Sequence, residues 1–154
     1  MSTITTDRIE KQVLLKAPRS RVWRAINDSK EFGTWFRADL TEPFRPGARV
    51  TGRVTYPGYE HLKMDIVVEK MEPERLFSYR WHPYAIDPNV DYSGEKTTLV
   101  EFTLEEKDGG TLVKVTETGF DGIPIDRRAE ALKSNDGGWT IQMTNIESYL
   151  LKNP

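Results

Sequence analysis

Trp139, Met143, Ile146 and Leu150 recur at steps of four, three and four, the spacing of one apolar helical face. They predict a closing helix over GGWTIQMTNIESYLLKNP, residues 137 to 154. Before it the periodicity is two. Residues 8 to 15 place Ile9, Val13 and Leu15 on one face of a strand. Met64, Ile66 and Val68 do the same within 62 to 73, and Thr98, Val100, Phe102 and Leu104 within 97 to 106. Residues 48 to 56, 75 to 82 and 111 to 120 complete about six strands, and the last puts Val113, Val115 and Glu117 on one side. Between the first strand and the rest, 18 to 27 reads as a helix with Val22, Ala25 and Ile26 inward. Ser29 caps a second short helix, KEFGTWF, which Gly33 should end early.

Punctuation supports the division. Pro57-Gly58, Pro73-Glu74 and Asp108-Gly109-Gly110 are turns, so consecutive strands pair antiparallel. Residues 83 to 96 form the longest irregular stretch, a length more often functional than accidental. Residues 126 to 135 read as a separate helical turn or two capped by Asp126. Gly137-Gly138 then marks a kink or a close backbone approach, because two glycines inside a helix cost about 2 kcal/mol against alanine. Strands followed by one long helix mean that the helix must cover the sheet. The fold class is α+β.

At 154 residues one domain, 1 to 154, is the natural expectation. The absence of cysteine excludes a disulfide framework and a thiolate nucleophile, and suits the cytoplasm. The polar opening MSTITTDRIEKQ has no apolar leader segment, and no stretch is apolar enough for a membrane span. A net charge of −2 argues against a nucleic-acid surface. No nucleotide-binding glycine loop or serine elbow occurs, and the two histidines, His61 and His82, lack zinc-site spacing. No catalytic set, metal or cofactor is therefore expected.

The aromatic content changes the picture more. Four tryptophans and six tyrosines exceed what a closed core needs, and Trp and Tyr carry polar tips. Trp35, Phe36, Met64, Tyr79, Trp81, Phe120, Trp139, Met143 and Ile146 are the candidate lining of a pocket between sheet and helix. His82 sits in the cluster YRWHPY and is placed at the pocket mouth, with Tyr84 or Tyr92 able to orient a ligand. Glu117 shares a strand face with Val113 and Val115, which makes it a polar anchor if that face lines the pocket. Glu101, on the hairpin partner, interrupts its strand in the same way.

Several segments together resemble the START-like SRPBCC superfamily, which has the helix-grip fold of the birch-pollen allergen. They are APRSRVWRAIND at 17 to 28 with Trp35-Phe36, IVVEKMEPERLFSYRW at 66 to 81, TTLVEFTLEE at 97 to 106 and GGWTIQMTNIESYL at 137 to 150. Within it the chain is similar to the branch named after the activator of the heat-shock protein 90 ATPase, C-terminal domain. The resemblance implies a curved antiparallel sheet of six to seven strands wrapped around the long C-terminal helix, with two short helices plugging one end. It also implies a cavity, which relatives use for lipids, hormones, polyketides or other hydrophobic molecules. The leading expectation is binding of a small hydrophobic molecule, a lipid or an aromatic. The second is an enzyme of cyclase, aromatase or hydrolase type acting on such a substrate. The third is a stress-related partner of a chaperone ATPase. It ranks last, because the co-chaperone naming the branch carries an additional N-terminal domain and this chain opens on its first strand. A monomer or weak dimer fits the absence of heptads.

Overall fold

The computed structural model describes residues 7–154. The opening polar segment, read as lacking a leader, lies largely outside them. In chain order come β1 (Arg8–Leu15), α1 (Arg19–Asn27), α2 (Ser29–Phe36), β2 (Ala38–Leu40), β3 (Arg49–Val54), β4 (Lys63–Glu72), β5 (Leu76–Trp81), β6 (Thr98–Lys107), β7 (Gly110–Thr118) and α3 (Ile125–Lys152). The strands form one antiparallel sheet in the order β1-β7-β6-β5-β4-β3-β2. β1 therefore closes onto the last strand, while the middle strands follow as a meander. Asp108 and Gly109 both take positive φ, as a two-residue hairpin between twisted strands requires. A register shift between Val68 and Lys70 bends β4, and Ser78 Oγ accepts from the Lys70 amide there at 3.2 Å.

α3 lies over the inner sheet face and buries Ala131, Trp139, Met143, Ile146 and Leu150. At 28 residues it is roughly 42 Å long. Gly137-Gly138, expected to mark a kink or a close backbone approach, lie inside this one element, and the helical turns over 126 to 135 are its first part. Neither glycine meets a neighbour where a Cβ would stand, so no close backbone approach selects them. The packed face on both sides carries the helix through them. Pro124 occupies the N-cap position, and Asp126 sits in the first turn, favourable to the helix dipole without capping it.

Two further readings need correction. The α2 cap is Asp28, not Ser29: Asp28 Oδ1 accepts from the Lys30 and Glu31 amides at 2.9 and 3.1 Å. Gly33 does not end the helix, which runs to Phe36. A Cβ at Gly33 would stand 2.2 Å from the Ala38 carbonyl oxygen, so glycine lets the chain fold back directly into β2. β2 is the seventh strand, which periodicity did not reveal. Three residues are too short to alternate, and the strand exists because Ala38 to Leu40 pair with Val54 to Gly52 of β3.

α1 and α2 plug one end of the sheet. Trp35 Nε1 donates to the Ala25 carbonyl at 2.8 Å and locks them together. Phe32 touches the rings of Trp35, Phe36, Phe44, Phe77 and Phe102, so one α2 side chain joins the helical plug to the sheet.

Candidate functional site

Strand register brings the polar centre together. Glu117 on β7 lies opposite Val100 on β6, and Val100 opposite Tyr79 on β5. Two residues further along the same face, Thr98 lies opposite Trp81. Thr98 and Trp81 therefore flank Glu117 from neighbouring strands. α3 crosses above and contributes Asn135 and Trp139, one turn apart on one face.

The result is a fully buried carboxylate with a complete donor set. Trp81 Nε1 donates to Glu117 Oε2 at 2.8 Å, and Thr98 Oγ1 donates to the same oxygen at 2.5 Å. Trp139 Nε1 donates to Oε1 at 2.8 Å. Asn135 Nδ2 spans both oxygens at 2.9 and 3.1 Å. All four donors are neutral, and among the described residues no ion pair includes Glu117. An indole N–H can only donate, so the two tryptophans demand an acceptor between them. Burying a charge without such partners is very costly.

Phe36, Trp81 and Trp139 touch one another beside this centre, with ring centroids 6.2, 6.0 and 5.9 Å apart. With Asn135, Gly138 and Gln142 they line a cavity of about 80 Å³. An apolar cavity of about 150 Å³ admits benzene. The space here is thus smaller than one ring, and side chains fill most of the interval between helix and sheet. Phe36 and Trp81 are half-buried and stand at the ends of α2 and β5, whereas Trp139 is 2% exposed.

The other candidates lie deeper or elsewhere. Trp35, Tyr79, Phe120, Met143 and Ile146 are core residues that do not line this cavity. Met64 is buried on β4 and borders a charged groove along β2 and β3. Tyr79 stands out because its buried hydroxyl has no hydrogen-bond partner among the described residues. Burial, with the Glu117 charge adding to it, holds this phenol well above its ordinary pKa. His82 Nε2 lies 3.0 Å from the Glu95 carbonyl oxygen, a contact that ties it to the following loop. Glu101 lies opposite Ser78 and Thr116, on the other sheet face from Glu117, so the two carboxylates do not form a pair.

That loop, residues 82 to 97, is held by Arg127 of α3. Its guanidinium bonds Glu95 Oε1 at 2.7 Å and the carbonyls of Pro83 and Tyr84 at 3.0 and 2.9 Å, and it lies 4.7 Å from the Tyr92 ring centroid. Among the described residues no cluster of three His, Cys, Asp or Glu side chains could hold a metal, and no helix is long and apolar enough to cross a membrane.

Asn135, Gln142 and Thr98 were missed as site residues. Asn135 precedes Trp139 by four and Gln142 follows it by three, so helical phase places all three on one side. Only their polarity hid them from a search for apolar lining.

The family model described as Activator of Hsp90 ATPase homolog 1-like protein matches residues 16–151. No curated protein matches this sequence. Among solved structures, protein MLL2253 from Mesorhizobium loti has a TM-score of 0.75 at 20% identity, over 96% of this chain and 98% of its own. Protein NE0264 from Nitrosomonas europaea has a TM-score of 0.75 at 15% identity, over 100% of both chains. The Aha1 dimer from Colwellia psychrerythraea, solved in solution, has a TM-score of 0.64 at 18% identity, over 91% of this chain and 92% of its own. At these identities the likeness carries the fold alone.

Proposed function

This chain belongs to the family of Activator of Hsp90 ATPase homolog 1-like proteins, and on that premise we propose that it binds a small hydrophobic molecule between its sheet and its C-terminal helix. The observation that carries the reading is the contact of Phe36, Trp81 and Trp139 around a cavity of which three wall residues, Trp81, Asn135 and Trp139, donate to the buried Glu117 carboxylate. A core that needed only to be filled has no use for a buried carboxylate and two indole N–H groups at one point. Sites for small molecules combine apolar walls with a few placed polar groups.

Size sets the manner of binding. A head group burying roughly 100 Å² of apolar surface contributes only about 2.5 kcal/mol. Tighter binding requires the walls to part. Phe36 and Trp81, half-buried and terminal in their elements, are the walls able to do so. Tyr79, whose ring lies 5.1 Å from that of Trp81, would form the deeper lining of a widened pocket with the buried Met143 and Ile146 of α3.

The test is native mass spectrometry of the protein as purified from cells, followed by a thermal-shift screen of aromatic and aliphatic compounds. A retained mass, or a Tm rise with a subset of compounds, supports the reading. No retained mass together with no Tm change from any compound refutes it.

A further inference from the structure

We propose that the group this cavity admits is the head of a small organic cation, an alkylammonium, and not the carboxylate or phosphate of an anionic lipid. The inference rests on the binding role proposed above and adds its charge and size. Three observations carry it.

The first is the field. Glu117 is 0% exposed and, among the described residues, receives hydrogen bonds only from neutral donors, so none of them sets a cation in contact with its charge. None of the six lining residues is basic. Charges interact more strongly across a protein interior than through water.

The second is the donor supply. An anion needs free N–H or O–H groups. Trp81 and Trp139 have committed their indole N–H groups to Glu117, Asn135 Nδ2 bridges both carboxylate oxygens, and Gln142 Nε2 donates to the Phe36 carbonyl at 2.9 Å. The two indoles therefore have no N–H left to offer, and each amide already donates to a protein acceptor. What the walls offer instead is three aromatic rings, whose faces attract cations.

The third is volume. About 80 Å³ is too little for an aromatic ring, or for the equally bulky trimethylammonium group, but suits the NH₃⁺ head of a primary ammonium. The apolar remainder of such a molecule would extend past Phe36 and Trp81, the two half-buried walls.

The experiment uses three unbranched probes of similar length: n-butylammonium, n-butanol and butanoate. Each is titrated into the wild-type protein while the indole N–H resonances are followed by NMR. Butylammonium should shift Trp81 and Trp139, leave Trp23 on α1 in place, and bind at least tenfold more tightly than the alcohol. The butanoate should bind most weakly. Phe36→Leu keeps an apolar wall but removes a π face, and should weaken butylammonium at least threefold while leaving the alcohol within twofold. Equal or tighter binding of the alcohol or the butanoate overturns the cationic assignment while leaving the hydrophobic-binding reading in place. An equal loss of butylammonium and alcohol in Phe36→Leu overturns the role of the ring face. If no probe shifts either indole, the ammonium assignment falls, and the wider reading is then judged by its mass-spectrometric test alone.

Discussion

Replacing Glu117 by Gln removes a charge and turns one acceptor oxygen into a donor, without changing shape. The amide must choose an orientation. With its oxygen at the Oε2 position it keeps Trp81 and Thr98 but turns NH₂ toward the Trp139 indole N–H, deep in the core. With its oxygen at the Oε1 position it keeps Trp139 and Asn135. Thr98 can then rotate its hydroxyl to accept, and the Trp81 N–H loses its partner. The second arrangement wins, because Trp81 is half-buried and water reaches it more cheaply. One indole donor without a partner costs about 1–3 kcal/mol. The bonds that remain lose charge assistance, which roughly doubled their strength. Relief of charge burial returns part of this. The net loss should be about 2–3 kcal/mol, a fall in Tm of roughly 4–12 °C for a chain of this size. Urea unfolding, followed by tryptophan fluorescence and far-UV circular dichroism, measures it. Glu101→Gln on the opposite sheet face is the control and should stay within about 0.5 kcal/mol. If Glu117→Gln also stays within about 0.5 kcal/mol of wild type, the carboxylate does not organise this centre and the argument built on it fails.

Three further outcomes follow from other parts of the molecule. Gly33→Ala should lose about 1–3 kcal/mol in urea unfolding, because its Cβ would stand 2.2 Å from the Ala38 carbonyl oxygen and the α2–β2 corner must open; unchanged stability would refute that close approach. Burial pushes the Glu31 carboxyl up, but the Tyr149 hydroxyl and the Arg21 and Arg24 guanidinium groups outweigh it, so its pKa is lowered on folding. The stabilisation is therefore present above the unfolded value, about pH 4.3, and lost as pH falls through the folded one. Glu31→Gln should be less stable at pH 7 by about 1–2 kcal/mol and show a flatter acid limb, whereas an acid slope equal to wild type would contradict the assignment. Tyr79→Phe removes a buried hydroxyl with no partner and should be neutral or stabilising by up to about 1 kcal/mol; a loss greater than that would show that the hydroxyl has an acceptor after all.

How much of this was legible in the chain differs by element. Six strands were readable. β5, buried on both faces over Leu76 to Tyr79, was readable from the turn before it and its aromatic residues. Most of the others were readable because alternation has a period of two and one face is buried. Thr98, Val100, Phe102 and Leu104 are all buried as that pattern requires. β2 was not readable, since three residues carry no period and their pairing with β3 is a tertiary event. Local propensity disfavours a helix at Gly137-Gly138 by about 1 kcal/mol per glycine. It was overridden by burial of Ala131 on one side and Trp139, Met143, Ile146 and Leu150 on the other. Phe32 gave no sign of being the residue that joins five other rings, because three of them, Phe44, Phe77 and Phe102, lie outside α2.

The sequence by itself determined which face each residue takes. It placed Glu117 beside Val113 and Val115, Trp139 beside Met143, and so put a carboxylate and an indole on surfaces that had to meet. Tertiary structure alone decided that Trp81, Thr98, Asn135 and Trp139 converge on that carboxylate, from positions 36, 19, 18 and 22 residues away. It also decided that only about 80 Å³ is left beside them. Facing follows from local periodicity, which backbone geometry imposes residue by residue. Convergence and residual volume depend on how side chains from separate elements fill a shared space, and no single segment contains that information.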